Sequence, residues 1–379
     1  RTFEDQNPGV TVEHVGTSFW DYWTKLQTAQ AGNQGPDLFI QDICNVKGRA
    51  KDGVSANLEA YLKADKIRKD DYLASDIESC TWNDELYAMP FSTDARYLFW
   101  NKAHFEAAGL DPETPPKTLA ELESFADQLT KYSEDGKTLE QVGFHPRLGN
   151  NIFVQMVWSQ GGEFFDQDMN PTINTDKNIE VIEWWVRMVN KYPVRAFNAF
   201  STQASAAAVS PFIQGKVSLL IDNNELAWKI KDLAPDLRFG VTAVPYDGEE
   251  NRTAWSGGFT LEISAAADKA KQDAAWKFIR YMTGPEVQSN LTETLRWLPC
   301  LVDSLDALKE GADANELAII EESKYRRHFD YVEASPQWWG YVDPQISKLE
   351  QGELTSARKA MDLAQAELLR QIENYRKTS

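Results

Sequence analysis

Cysteine and histidine are scarce in this chain of 379 residues, with three of the first and four of the second. Cys44, Cys80 and Cys300 stand far apart without CxxC spacing, which argues against a zinc site or a dithiol redox motif and allows one disulfide at most. His14, His104, His145 and His328 occur singly, outside any HExxH pattern, so metal-assisted catalysis finds little support in them. Basic residues are outnumbered, 39 against 58 acidic ones, and a net charge of −19 with no local basic patch argues against nucleic acid or an anionic membrane as a partner. No apolar run approaches the roughly 20 residues needed to span a bilayer. The GxSxG elbow, the GxxxxGK[ST] phosphate loop and the GxGxxG fingerprint are all missing. A pair of glycosidase carboxylates stays open, because 58 acidic residues offer many pairs whose separation in space the sequence does not give.

The length and the 42% apolar content suffice for two sizeable cores, so two lobes are expected. Strand and helix signals alternate along the chain. After the Asn7-Pro8-Gly9 turn, the alternation of Val10, Val12 and His14 predicts a short strand, and a helix follows from about 18 to 31. Asp37-Leu38-Phe39-Ile40 reads as a buried strand that delivers Gln41, Asp42 and Asn45 to a loop. Two extended segments, 88–91 and 97–100, are interrupted by Ser92-Thr93-Asp94, which suggests a crossing between lobes. Thr118 and Glu121 form a capping box ahead of the apolar positions Leu119, Leu122, Phe125, Ala126 and Leu129. Further helices are expected over 179–190, from Asp268 to the Gly284-Pro285 stop, and over 355–375; further strands over 216–221, 239–245 and 259–264. This order predicts an α/β fold with mainly parallel sheets flanked by helices. Ligands of such folds bind at strand ends. No repeat and no low-complexity linker is present. The chain begins at Arg1 without methionine and in what reads as the tail of a helix, so an upstream segment, a secretory signal among the candidates, is expected.

Thirteen tryptophans stand out, several beside polar residues in expected loops: Trp20-Asp21-Tyr22-Trp23, Trp255-Ser256-Gly257-Gly258 and Gln337-Trp338-Trp339-Gly340-Tyr341. Indole planes beside carboxylates, amides and arginines suit a ligand with apolar faces and many hydroxyls, which describes a sugar. The competing role for any one tryptophan is core packing, and Trp184-Trp185, inside an expected helix, is assigned to it.

The order of motifs resembles the extracellular solute-binding proteins of carbohydrate ABC importers, the group that includes maltose-binding protein. The resemblance covers nearly the whole chain and is carried by 3–10 (Phe-Glu-Asp-Gln-Asn-Pro-Gly-Val), Gly35-Pro36-Asp37-Leu38, Leu98-Phe99-Trp100-Asn101-Lys102, Ala108-Gly109-Leu110 and 115–122 (Pro-Pro-Lys-Thr-Leu-Ala-Glu-Leu). Phe212-Ile213-Gln214-Gly215-Lys216-Val217, Trp255-Ser256-Gly257-Gly258 and Ala274-Ala275-Trp276-Lys277-Phe278-Ile279 complete it. Each piece alone is weak; their order and spacing are specific.

The resemblance implies a periplasmic-binding-protein-like fold of type II: two lobes, with the ligand in a cleft between them and closure by hinge motion. It places residues 1–93 and 258–301 in the N-terminal lobe and 94–257 and 302–379 in the C-terminal lobe, with crossings near 93–96, 255–259 and 298–303. By the same resemblance Asp94 is a carboxylate for sugar hydroxyls and Trp339 the stacking aromatic. Asp42 and Asn45 match the loop after the first strand, and Asn223 and Asn224 the loop after the Gly-Lys strand, with the aromatic usual there displaced to Trp228. Trp255, Gly257 and Gly258 resemble a wall where missing side chains let a sugar reach backbone amides. Arg296, Trp297 and Trp20 complete the set. The expected first strand and the helix start before it are absent from the sequence. The implied protein is a receptor rather than an enzyme, with no cofactor and no metal. Its partners are an oligosaccharide and the permease subunits of an ABC transporter. It is expected as a monomer, held peripherally at the outer face of the membrane by a lipid anchor or free in a periplasm. Two alternatives remain from the residues themselves: a carbohydrate-active hydrolase or lyase, and a receptor of the same fold for a polyol phosphate, a polyamine or a peptide.

Overall fold

The computed structural model describes residues 2–378, apart from the side chains of Thr2, Phe19, Trp20 and Thr378. The chain divides into two compact units: Arg1–Asp94 with Gly257–Glu310, and Ala95–Ser256 with Gly311–Ser379. In chain order, the strands that matter here are β1 (Leu38–Asp42), β2 (Met89–Thr93), β3 (Arg96–Asn101), β4 (Leu219–Asn223) and β5 (Phe239–Thr242). They are followed by β6 (Ala254–Trp255), β7 (Gly258–Ile263), β8 (Leu298–Pro299) and β9 (Arg326–Arg327).

The first unit is built on a four-stranded sheet of order β1-β7-β2-β8. Its register sets Leu38 opposite Ile263, Asp42 opposite Phe259, and Thr93 opposite both Gly258 and Leu298. Ile43, Leu58, Phe91, Leu261, Trp276, Ile279 and Cys300 fill the core. Helix Lys269–Met282 enters this core with Ala275, Trp276 and Ile279 buried, and the Asp268 carboxylate caps it by accepting the Lys271 N–H. The next helix, Pro285–Leu295, starts with proline at its first position, where the missing N–H costs nothing.

The second unit holds a three-stranded sheet, β4-β3-β5, with Arg96 opposite Asn223 and Leu98 opposite both Ile221 and Thr242. Helix Leu119–Leu129 carries the Thr118/Glu121 capping box with both reciprocal hydrogen bonds. Helix Asp176–Val189 buries Ile179, Ile182, Trp184 and Trp185, so the paired tryptophans are core residues. Helices Trp339–Glu350 and Ala357–Thr378 close the same core with Val342, Ile346, Met361 and Leu368.

Three findings depart from the sequence reading. Every hydrogen-bonded pair in the two larger sheets is antiparallel. Strands separated by helices do run the same way, β1 with β2 and β4 with β5, but in each case one strand of opposite direction, β7 or β3, is inserted between them. The order of elements gives the direction of successive strands, not what comes between them. Residues 10–18 form no strand; Val15 is 77% exposed, so the alternation there reflects no buried face. The last passage between units falls at Glu310/Gly311 rather than at 298–303, because β8 completes the edge of the first sheet and Cys300 and Leu301 enter its core. Cys44, Cys80 and Cys300 are joined by no disulfide, and Cys80 and Cys300 are buried.

Candidate functional site

In the first unit the strand ends gather the polar candidates. Asp94 follows β2 and belongs to this unit, as does Gly257 ahead of β7. The Gly257 N–H donates to Asp94 Oδ1 at 2.7 Å, so this carboxylate ties together two ends of backbone. Gly258 is required by packing: its φ is +131°, and a Cβ there would stand 2.5 Å from the Ser92 carbonyl oxygen. At the end of β1, Asn45 Nδ2 donates to both carboxylate oxygens of Asp42, at 3.2 and 3.4 Å. Gln41, by contrast, is buried and bonds the Asp42 N–H. Arg296 caps helix Pro285–Leu295 with φ +61°, a left-handed turn uncommon outside glycine and asparagine, and it aims the chain into Trp297. Trp297 is half-buried, its ring 5.2 Å from Phe259 and 6.3 Å, edge-on, from Phe91.

The second unit assembles an aromatic face. Trp339, half-buried at the start of its helix, stacks on Phe329 with ring centroids 4.4 Å apart and planes 15° from parallel. Trp255 lies 5.5 Å from the same Phe329, and the Arg96 guanidinium sits 3.8 Å above the Trp255 ring, a cation–π contact. Gln155 fixes the backbone beneath them: its Oε1 accepts the Trp255 backbone N–H at 3.1 Å and its Nε2 donates to the Arg96 backbone carbonyl at 3.4 Å. Asn223 stands opposite Arg96 and so projects to the same side of the sheet, whereas Asp222 stands opposite Tyr97 and projects to the other. Burial pushes the Asp222 carboxyl up to about 6, against the Asn223 N–H and the Arg96 charge, which favour its ionised form. Next to Phe329, Arg327 crosses the Trp158 ring at 4.2 Å and forks onto Glu163 with two contacts of 2.7 Å.

Of the residues singled out from sequence, Asp42, Asn45, Asp94, Gly257, Gly258, Arg296 and Trp297 lie in the first unit and Trp255, Asn223, Asn224 and Trp339 in the second. Asn224 is fully buried and accepts the Ala95 N–H at 3.3 Å, a bond that shapes the backbone after Asp94. Trp20 has its side chain outside the described residues. Trp338, next to Trp339, is wholly in the core, its indole N–H donating to the Asp330 carbonyl. The sequence reading did not single out Phe329, Gln155, Arg327 or Arg96. The one available signal for Arg96 was an arginine inside an otherwise apolar strand, Tyr97 to Trp100. Among the described residues there is no cluster of three metal-ligating side chains and no helix long and apolar enough to cross a membrane.

Similarity to known proteins points the same way. The maltotriose-binding protein of Pyrococcus abyssi is 26% identical over 347 residues, which is 89% of this chain and 71% of that protein. The solved structure of CpMnBP1 with mannotriose bound superposes with a TM-score of 0.83 at 25% identity, over 97% of this chain and 94% of that one. UgpB of Mycobacterium tuberculosis in complex with glycerophosphocholine has a TM-score of 0.80 at 19% identity, covering 99% and 93%, a likeness of fold alone. The fold is that of the type II periplasmic binding proteins. The sequence model of the bacterial extracellular solute-binding proteins matches residues 1–318, and the chain belongs to that family.

Proposed function

We propose that this protein is the substrate-binding component of an ABC importer, that its ligand is an oligosaccharide, and that it delivers the sugar unchanged to the membrane permease. The observation that carries this reading is the aromatic cluster of the second unit, where Trp339 stacks on Phe329, Trp255 lies tilted against the same Phe329, and the Arg96 guanidinium sits over the Trp255 ring. The C–H face of a sugar ring packs on such a surface, and neighbouring amides and charged groups select its hydroxyls. Asp42, Asn45, Asp94, Arg296 and Trp297 are the proposed ligand groups of the first unit, and Asn223 that of the second beside the aromatics. The relatives bind maltotriose and mannotriose, and the family is extracellular, which supports work outside the cytoplasm. A monomer held peripherally by a lipid anchor, or free in a periplasm, is the form proposed here.

Calorimetric titration with mannotriose, maltotriose and glycerophosphocholine tests the reading. Saturable binding of a sugar with a dissociation constant in the micromolar range or below is expected, with none of the phosphodiester. Binding of glycerophosphocholine alone would replace the sugar with a polyol phosphate ester, and binding of none of the three would remove the oligosaccharide assignment.

A further inference from the structure

Glu262, on β7, is fully buried in the first unit, and a carboxylate so placed is costly unless it is paired and hydrogen-bonded. Arg49 pairs with it through a fork: Nη2 lies 2.6 Å from Oε1 and Nε 2.9 Å from Oε2. The Thr260 hydroxyl donates to Oε1 at 2.8 Å and the Ser55 hydroxyl to Oε2. A buried network of this kind adds little stability over a well-packed apolar pair, so what it supplies is position. That position concerns Asp42. The same Nη2 donates to the Asp42 backbone carbonyl at 2.7 Å and pins the end of β1. The Asp42 carboxylate takes no such fork: it accepts Asn45 Nδ2 at 3.2 and 3.4 Å, Arg49 Nη1 stands in a loose ion pair 3.9 Å from Oδ2, beyond hydrogen-bond range, and the side chain is 35% exposed.

We propose that Arg49 is a positioning residue for the ligand and that Glu262 is the counter-charge that holds the guanidinium off the Asp42 carboxylate, leaving that carboxylate to accept sugar hydroxyls. A guanidinium fork takes about half of a carboxylate's four lone-pair sites, and because Asn45 Nδ2 already donates to both Asp42 oxygens, a fork added there would leave little room for a sugar hydroxyl. With Glu262 in place the fork is spent on a buried partner, and only the backbone of Asp42 is gripped. Without the Glu262 charge, the guanidinium has about 1 Å to travel to the Asp42 side chain to reach ordinary hydrogen-bond length. The inference rests on the receptor reading above and adds to it the device that keeps one ligand group available.

The test is calorimetric titration with mannotriose, or with maltotriose if mannotriose does not saturate, on the wild type, Glu262→Gln, Asp42→Asn and the double variant. Each single change is expected to weaken binding about tenfold or more, the worth of one charged hydrogen bond. The double variant is expected to bind within about twofold of the weaker single one, since both changes remove the same acceptor. Arg49→Lys, which keeps the charge but has no fork to span Glu262 and the Asp42 carbonyl, is expected to lose affinity as well, and stands in if Glu262→Gln does not fold. Leu62→Ala, a core change in the same unit, is expected to lower the melting temperature with affinity unchanged, which separates positioning from general loosening. Wild-type sugar binding with full affinity retained in Glu262→Gln, or in Arg49→Lys where that variant stands in, would overturn the inference alone, as would additive losses in the double variant. Failure of the wild type to bind either sugar would overturn the receptor reading and the inference with it.

Discussion

Trp339→Ala is the change whose cost follows most directly from the geometry. Phe329 backs one face of the indole at 4.4 Å, and Trp338 meets it edge-on at 6.0 Å. Its intermediate exposure leaves on the order of 60 Å² of the ring to a ligand, and a sugar face covering it removes about as much apolar surface of its own; at about 25 cal/mol per Å² the two together amount to about 3 kcal/mol. That lies within the range of about 2–4 kcal/mol for a central aromatic contact, or a roughly 30- to 700-fold weaker dissociation constant. The fold should lose less, about 1–2 kcal/mol, because the ring contacts with Phe329 and Trp338 go but the buried Trp338 stays. Isothermal titration with the sugar that binds the wild type, paired with a denaturant melt, measures both quantities. Trp339→Phe, which keeps a smaller platform, should fall between wild type and alanine. A loss of affinity below about 0.5 kcal/mol in Trp339→Ala, roughly twofold, would refute the assignment of this ring to the ligand.

Protons and backbone give three further expectations. Because burial raises the Asp222 carboxyl to about 6, above the roughly 3.9 of an unfolded aspartate, the native state binds its proton first and gains stability as pH falls from about 6 toward 4. Asp222→Asn should therefore stabilise the second unit by about 1–3 kcal/mol at pH 7.5, with the gain fading by pH 5; an equal gain at both values would rule out charge burial as the cause. His145 has the opposite linkage. Buried against Phe197 with ring centroids 3.8 Å apart, it is held down at about 4 by desolvation, so the unfolded chain takes up its proton first and stability declines as pH falls from about 6.5 to 4. Up to about 3 kcal/mol is at stake, and His145→Phe should flatten the urea midpoint between pH 7 and 4.5; an unchanged slope would show that His145 is not the acid-sensitive group. Gly258→Ala combines a positive φ with a 2.5 Å clash on the Ser92 carbonyl and should cost at least about 2 kcal/mol in a denaturant melt, whereas a neutral result would mean that β2 and β7 can part there without penalty.

Local chemistry was the part legible in the sequence. The capping box at Thr118 and Glu121, the Asp268 cap and the strand after Gly35-Pro36 need only neighbours in the chain, and they are found where the spacing put them, although that strand runs on through Gln41 to Asp42 instead of releasing them to a loop and is buried only at alternate positions. The aromatic platform was half legible. Trp339 and Trp255 stood out by composition, but the residue that brings them together, Phe329, has nothing unusual around it in the sequence, and a stacking partner is defined only in space. For the same reason Trp338 and Trp339 look alike as letters, while one is sealed in the core and the other half open. Strand partners were hidden too: β7 pairs with β1 across more than two hundred residues, and no local pattern records that it separates β1 from β2. The Arg49–Glu262 pair, equally distant in sequence, was invisible until the sheet was formed.

The central claim, an oligosaccharide receptor that breaks no bond, is tested most directly by one experiment. Purified protein is titrated by tryptophan fluorescence with α- and β-linked di- to tetrasaccharides, and each sugar is then recovered and chromatographed. A saturable change in emission is expected for at least one sugar, at micromolar concentration or below, with that sugar recovered intact. Recovery of shortened sugars, or no response to any member of the panel, would contradict it.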